Sequence, residues 1–289
     1  MSATRPGEVI ATIRSLLPSL LPTEQAVAAV LLARSADIVE LSSQQVADLA
    51  GASRATVVRT CQSLGYTGYQ QLRVLLARDA GYAGDASPAA AVTAPPADAA
   101  GIVAETFRAI AAGAVGMTAL LDRDAVARTV ETLATANRLV VVGNGLSAPL
   151  AQDAAARLAS IGRPAEAPMD VIGQQIAARL LGPSDALLAI SGSGANAATV
   201  ASARAATSAA ATVISLTAFA RSALTTTSTV SLVVTAPELT FHDELTLASR
   251  LPHAILIEGL VAAVTKRLGE SAAVAKALAL DVISENLAD

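Results

Sequence analysis

The sequence predicts two domains, a small all-helical unit followed by an α/β domain built on a parallel sheet. Three observations predict it. Residues 81–100 lack a hydrophobic period, carry Pro88, Pro95 and Pro96 among small residues, and read as a flexible linker. Ahead of them helix-capping signals recur at short intervals; behind them β-branched apolar runs alternate with alanine-rich helical segments. The 289 residues accommodate about two domains of roughly 150 residues each, giving expected boundaries of 1–80, a linker at 81–100, and 101–289.

Each element has its own signal. Pro22-Thr23-Glu24 opens a helix running to about residue 35, Ser42 or Ser43 caps a short one ending near Gly51, and Ser53 caps a third reaching about Leu64. After the linker, 101–121 and 123–136 are expected as connecting helices. Strands follow at 138–142, 185–190, 212–216 and 230–234, with helical segments between them and a further one at 241–266. Strands and helices alternating at this spacing require right-handed crossovers and hence a parallel sheet.

Composition narrows the function. The chain is 53% apolar and 15% charged, enough for packed cores, and with 2% aromatics those cores must be built from Leu, Val, Ile and Ala. One cysteine, Cys61, excludes an internal disulfide framework, and two histidines, His242 and His253, leave little material for a metal centre, so no metal or cofactor is expected. Neither a secretory signal nor an uninterrupted membrane span is visible, which places the expected protein in the cytoplasm. The net charge is -4, yet residues 1–80 carry seven arginines against six acids, and between Asp48 and Asp79 stand Arg54, Arg59, Arg73 and Arg78 with no acid. A local positive surface on an acidic chain suits nucleic acid, because affinity follows local phosphate neutralisation.

Residues 43–59, SQQVADLAGASRATVVR, have the construction of a helix-turn-helix. Val46 and Ala50 share one face of the first helix, small Ala47 permits a close crossing, and Gly51 supplies the left-handed turn. In the second helix Val57, Cys61 and Leu64 follow i, i+4, i+7 toward the core, leaving Ser53, Arg54, Ala55, Val58, Arg59 and Gln62 outward. That face can enter a major groove, with Ser53 and Thr56 donating to phosphate at the helix start. Gly65 closes the helix, and the next one brings Tyr69 and Arg73 toward the expected DNA backbone path. With Gln44 these form the expected DNA-contacting set: Gln44, Ser53, Arg54, Thr56, Arg59, Gln62, Tyr69 and Arg73. The run SRATVVRTCQSLGYTGYQQLR at 53–73, preceded in register by LSSQQVADLAGA, resembles the DNA-binding domain of the RpiR/MurR family of bacterial sugar-metabolism regulators.

Two loops carry the expected chemistry of the second domain. VVVGNGLSA at 140–148 sets glycines at a strand-to-helix turn, where backbone amides and a hydroxyl can meet an anion. Alone it also fits a dinucleotide site with Glu166 as ribose acceptor, or a tight turn that binds nothing. A second hydroxyl-rich loop, ISGSGAN at 190–196, follows another strand, and a dinucleotide fold does not call for it. Ser147, Ser191, Ser193 and Asn196 then suit a phosphate held by hydroxyls, amides and helix dipoles, since neither loop holds a basic residue. The pairing resembles the sugar isomerase (SIS) domain, which follows the helix-turn-helix domain in that family. This resemblance implies a five-stranded parallel sheet flanked by helices, a phosphosugar effector, and homodimers or homotetramers assembled through the SIS domains. The expected ligand set is Gly143, Asn144, Gly145, Ser147, Ser191, Ser193, Gly194, Asn196 and Glu244. Asn196 stands where the family usually has threonine, and Asn144 where it usually has valine.

SIS domains also serve phosphosugar isomerases, which need an acid/base group; Glu244, His242 and His253 are the available ones. His253, among apolar neighbours, reads as structural, and no reaction-specific motif accompanies the other two. The expectation is therefore a non-enzymatic, phosphosugar-controlled transcription factor, more a repressor than an activator, acting on a double-stranded DNA operator.

Overall fold

The structure, a computed structural model, describes residues 7–35, 37–86, 98–114, 116–235 and 250–287. One compact unit takes the chain as far as Leu120 and a second begins at Leu121.

The first unit is all helical: α1 (Glu8–Leu16), α2 (Pro22–Ala33), α3 (Ser43–Leu49), α4 (Arg54–Ser63), α5 (Tyr69–Ala86) and α6 (Ala99–Ala114). The caps are those the sequence advertises. Pro22 occupies the first turn of α2, while Ser42 and Ser53 accept the amides of Gln45 and Thr56 at the starts of α3 and α4. Gly51 and Gly65 take φ of 60° and 91°, values that an L side chain rarely adopts. Val46, Val57, Cys61 and Leu64 meet Val9, Ile13, Val27, Leu31, Leu72 and Leu76 in one core. Burial pushes the Cys61 thiol up to about 12, as fits a packing residue. Helix α1, which the sequence reading lacked, is anchored by Asp79 of α5, whose carboxylate accepts the amides of Gly7, Val9 and Ile10.

The linker expected at 81–100 is shorter on both sides. Helix α5 continues to Ala86 and α6 opens at Ala99, because alanines favour helix and no proline intervenes until Pro88; residues 87–97 lie outside the described residues. Helix α6 buries none of its residues, and the first side chains to join the second core are Leu121 and Ala125.

The second unit contains α7 (Arg123–Thr135), β1 (Leu139–Gly143), α8 (Ala148–Ser160), β2 (Ala165–Glu166), α9 (Val171–Arg179), β3 (Ala186–Ile190), α10 (Ala197–Ser208), β4 (Thr212–Thr217), α11 (Ala223–Thr227), β5 (Val230–Val233), α12 (Leu251–Leu268) and α13 (Glu270–Glu285). Five parallel strands run in the order β2-β1-β3-β4-β5. Four lie within a residue of their expected positions. The fifth, β2, is a two-residue edge strand that is not fully buried, too short to leave a periodic signal.

Alternation along the strands divides the core. Leu139, Val141, Leu188 and Ile190 pack on α7, α8 and α12; Val140, Val142, Leu187 and Ala189 pack on α9, α10 and α11. With both faces covered, each strand reads as a continuous apolar run. Alanines at 151, 154, 155, 177, 178, 203 and 206 form the helix surfaces against the sheet, which is how these two cores pack without aromatic side chains.

Candidate functional site

The candidate recognition surface of the first unit is the outer face of α4. A hydrogen bond from Ser63 Oγ to Glu24 Oε1 (3.0 Å) fixes the end of α4 to α2, while Glu24 Oε2 accepts the Leu21 amide. Arg54, Ala55, Val58, Arg59 and Gln62 are exposed together on its outer side. Arg54 and Gln62 have no side-chain partner among the described residues; Arg59 leans back to Thr56 Oγ1 at 3.3 Å. Ser53 is exposed, with its Oγ accepting the Thr56 amide. Gln44, on the exposed side of α3, donates to Asp48 at 2.8 Å.

Three expected DNA contacts are placed otherwise. Tyr69 is 4% exposed and its hydroxyl donates to the Leu41 carbonyl at 2.7 Å, so it anchors α5 inside the unit. Arg73, half-buried, lies 5.9 Å over the Tyr69 ring and also donates to the Leu41 carbonyl, so its guanidinium is engaged within the unit. Thr56 is buried, with Oγ1 held between Ser53 Oγ and Arg59.

In the second unit the decisive geometry is the β1–β3 register. Gly143 pairs with Ile190, so the last residues of the two strands are Cα partners and both loops leave the sheet at one level. The chain turns from β1 to β2 on one side and reaches β3 on the other, which makes this the topological switch point where open α/β sheets bind ligands. Ser147 and Ser191 are each 3% exposed, and neither hydroxyl is engaged by a described residue. Gly145 takes φ +57° at the loop crest.

The second loop is braced from the β4 side. Thr217 Oγ1 donates to the Gly192 carbonyl, Gly194 N donates to the Ser191 carbonyl, and the Leu224 amide donates to the Gly194 carbonyl. Gly194 has φ +62°, and a Cβ there would lie 2.2 Å from Ser222 Oγ. Ser193 Oγ accepts the Ala195 amide at 3.3 Å.

Several expected ligand residues also brace the scaffold. Gly143 is buried, with its carbonyl accepting from Gln174 and no room for a Cβ, which would meet the Ser147 carbonyl at 2.6 Å. Asn196 caps α10, its Oδ1 accepting from Thr199 N and Oγ1. Asn144 turns its Nδ2 inward, to Gln174 Oε1 and Thr199 Oγ1, each at 2.9 Å. Glu166 pairs with Arg138 at 3.0 Å on the exposed edge strand. Glu244 and His242 lie outside the described residues. Gln174 and Thr199 were missed by sequence reasoning; the available signal was a glutamine on the apolar stripe shared with Ala177 and Ala178.

His253 is 1% exposed, in the first turn of α12, with neither ring nitrogen partnered among the described residues. Burial, reinforced by the charge of Arg250, pushes its imidazole down to about 3, so the ring is neutral at physiological pH. The described residues contain no group of His, Cys, Asp and Glu able to hold a metal, and no helix long and apolar enough to cross a membrane.

Comparison with known proteins matches both units. Residues 7–81 fit the helix-turn-helix domain of the rpiR family, and residues 132–257 fit the SIS domain. The chain is 32% identical over 260 residues to the HTH-type transcriptional regulator HexR of Pseudomonas aeruginosa, covering 89% of each chain. The chain belongs to the RpiR family of transcriptional regulators. Among solved structures, this RpiR-type regulator is similar to Vibrio vulnificus NanR complexed with ManNAc-6P, at 25% identity and TM-score 0.61, over 97% of this chain and 100% of that one. The sugar isomerase domain of an RpiR transcription factor from Sphaerobacter thermophilus shares the fold, with 19% identity, TM-score 0.54, and coverage of 64% of this chain and 98% of that one.

Proposed function

We propose that this RpiR-type regulator binds an operator as a homodimer or homotetramer through α4, and that a phosphorylated sugar at the β1–β3 switch point controls that binding. The observation that carries the effector site is the pair of nearly buried, unengaged hydroxyls of Ser147 and Ser191 on loops that leave register-paired strand ends. Hydroxyls, loop amides and the amino end of α10 together suit a phosphate without a basic residue. The similarity to NanR, a protein solved with ManNAc-6P, supports the same ligand class. The protein acts as a cytoplasmic repressor without catalysis of its own. Ligand acts by binding the DNA-competent and incompetent arrangements unequally, and a coupling of about 1 to 3 kcal/mol changes operator affinity roughly 5- to 150-fold.

The test is binding of the purified protein to its own upstream DNA at several salt concentrations, with and without a panel of sugar phosphates. Specific, salt-steep binding that one sugar phosphate changes is expected. Interconversion of ketose and aldose phosphates without any DNA binding would overturn the regulator reading in favour of an isomerase.

A further inference from the structure

The two loops are joined by a chain of side-chain hydrogen bonds whose polarity is fixed from one end to the other. Gln174, 1% exposed on α9, sends Nε2 to the carbonyls of Gly143 (3.3 Å) and Pro168 (3.1 Å). Carbonyl oxygens only accept, so both amide hydrogens are committed and Oε1 must accept. Asn144 Nδ2 supplies the donor, at 2.9 Å. From the other side, Asn196 Oδ1 accepts the Thr199 backbone amide and then the Thr199 hydroxyl proton, which leaves Thr199 Oγ1 to accept from Asn144 Nδ2 at 2.9 Å. Both Asn144 amide hydrogens are thereby consumed inward. The atom left over is Oδ1, on a half-buried residue between Gly143 and Gly145, and no described residue engages it.

From this polarity we infer that Asn144 is a specificity-determining residue which presents a fixed acceptor to the ligand, and that Gln174 is the positioning residue that sets it. The inference rests on the proposed effector site and narrows its ligand class. The site favours a phosphosugar with a neutral hydrogen-bond donor at this point, such as a hydroxyl or amide N–H. It disfavours one that brings a carboxylate or second phosphate, because Asn144 cannot flip to donate without opposing oxygen to oxygen at Gln174 and Thr199.

Two measurements test it on the full chain. Without ligand, hydrogen exchange of the Asn144 side-chain amide by NMR should be slowed at least about tenfold relative to that of Gln175, one hydrogen bond's worth or more; equal exchange overturns the chain of bonds. With ligand, calorimetry compares glucose 6-phosphate, 6-phosphogluconate and inorganic phosphate. Wild type should prefer glucose 6-phosphate to 6-phosphogluconate by about tenfold or more. In Gln174→Leu that ratio should fall severalfold while inorganic phosphate binding stays unchanged, a pattern that general damage to the loops does not give. Asn144→Leu, at a less buried position, makes the same comparison if Gln174→Leu fails to fold. An unchanged ratio overturns the specificity role and leaves the effector site standing; a wild type that binds none of the three probes overturns the site and this inference together.

Discussion

The carboxylate of Asp79 accepts the backbone amide of Val9 at 2.7 Å across seventy residues of chain. With Gly7 and Ile10 also donating, one side chain of α5 satisfies three of the amides that the start of α1 leaves open. Asp79→Ala removes charge-assisted bonds at a buried helix start and is expected to cost about 2 to 4 kcal/mol. Urea denaturation of the first unit's transition checks this, with amide exchange in α1 rising first; an unchanged midpoint would show the clasp to be dispensable.

Arg54 is exposed at the first position of α4 and unpaired among the described residues, so its loss leaves the fold intact. Arg54→Ala should weaken specific operator binding by about 1 to 3 kcal/mol if it reads a guanine edge. Arg59→Ala, if Arg59 meets phosphate, should instead weaken binding evenly across sequences and lower the salt slope by about one. Competition assays with operator and random duplex separate the two; retention of full affinity and discrimination by Arg54→Ala would reject the readout role.

Ser191→Ala combined with Ser193→Ala should abolish the effector response and leave DNA binding intact. The two hydroxyls stand on one loop, and only Ser193 Oγ makes a hydrogen bond within it, an amide contact of 3.3 Å. A double mutant that still responds to sugar phosphate would move the pocket elsewhere.

Gly194→Ala should disable the same loop by a different route. It combines a strained φ with a Cβ driven into Ser222 Oγ, so Ser222 must move and the cap of α11 with it. The expected loss is about 1 to 3 kcal/mol of stability, together with effector binding. Thermal unfolding and calorimetry read both quantities, and a variant that is stable and still binds would remove Gly194 from the account.

His253 gives a pH signature. Its imidazole titrates near 6.5 when unfolded and is pushed down to about 3 when folded. The unfolded chain therefore binds the extra proton first, so stability is complete above about 6.5 and declines as pH falls toward 3. His253→Leu should flatten that part of the stability curve without loss at neutral pH, since neither ring nitrogen has a described partner to forfeit. Urea midpoints between pH 7 and 4 decide it; parallel curves for the two proteins would assign the acid sensitivity to carboxylates.

What the sequence disclosed followed from local physics. The helix-turn-helix was legible because Gly51, Ser53 and the Val57–Cys61–Leu64 spacing are short-range signals, and the four long strands because both of their faces are buried. The serine pair was legible because Ser191 directly follows an apolar run and Ser147 follows one across the short turn at 143–146. The inward roles of Tyr69 and Arg73 depend on the Leu41 carbonyl about thirty residues away, which no local pattern announces. The inward bonds of Asn144 were hidden for the same reason: Gln174 and Thr199, the partners of its Nδ2, are thirty and fifty-five residues distant.

Because Gly143 and Ile190 close their strands as partners, β1 and β3 act as a gauge block for the proposed effector pocket. Inserting a single residue in either strand lifts one loop by about 3.3 Å against the other and reverses which side chains enter each core. Drift can lengthen the surrounding helices and recolour the loops, but the spacing between the serines tolerates only substitutions in these two strands. Loop exchange between relatives is therefore best cut outside β1 and β3, so that each graft carries its own ruler.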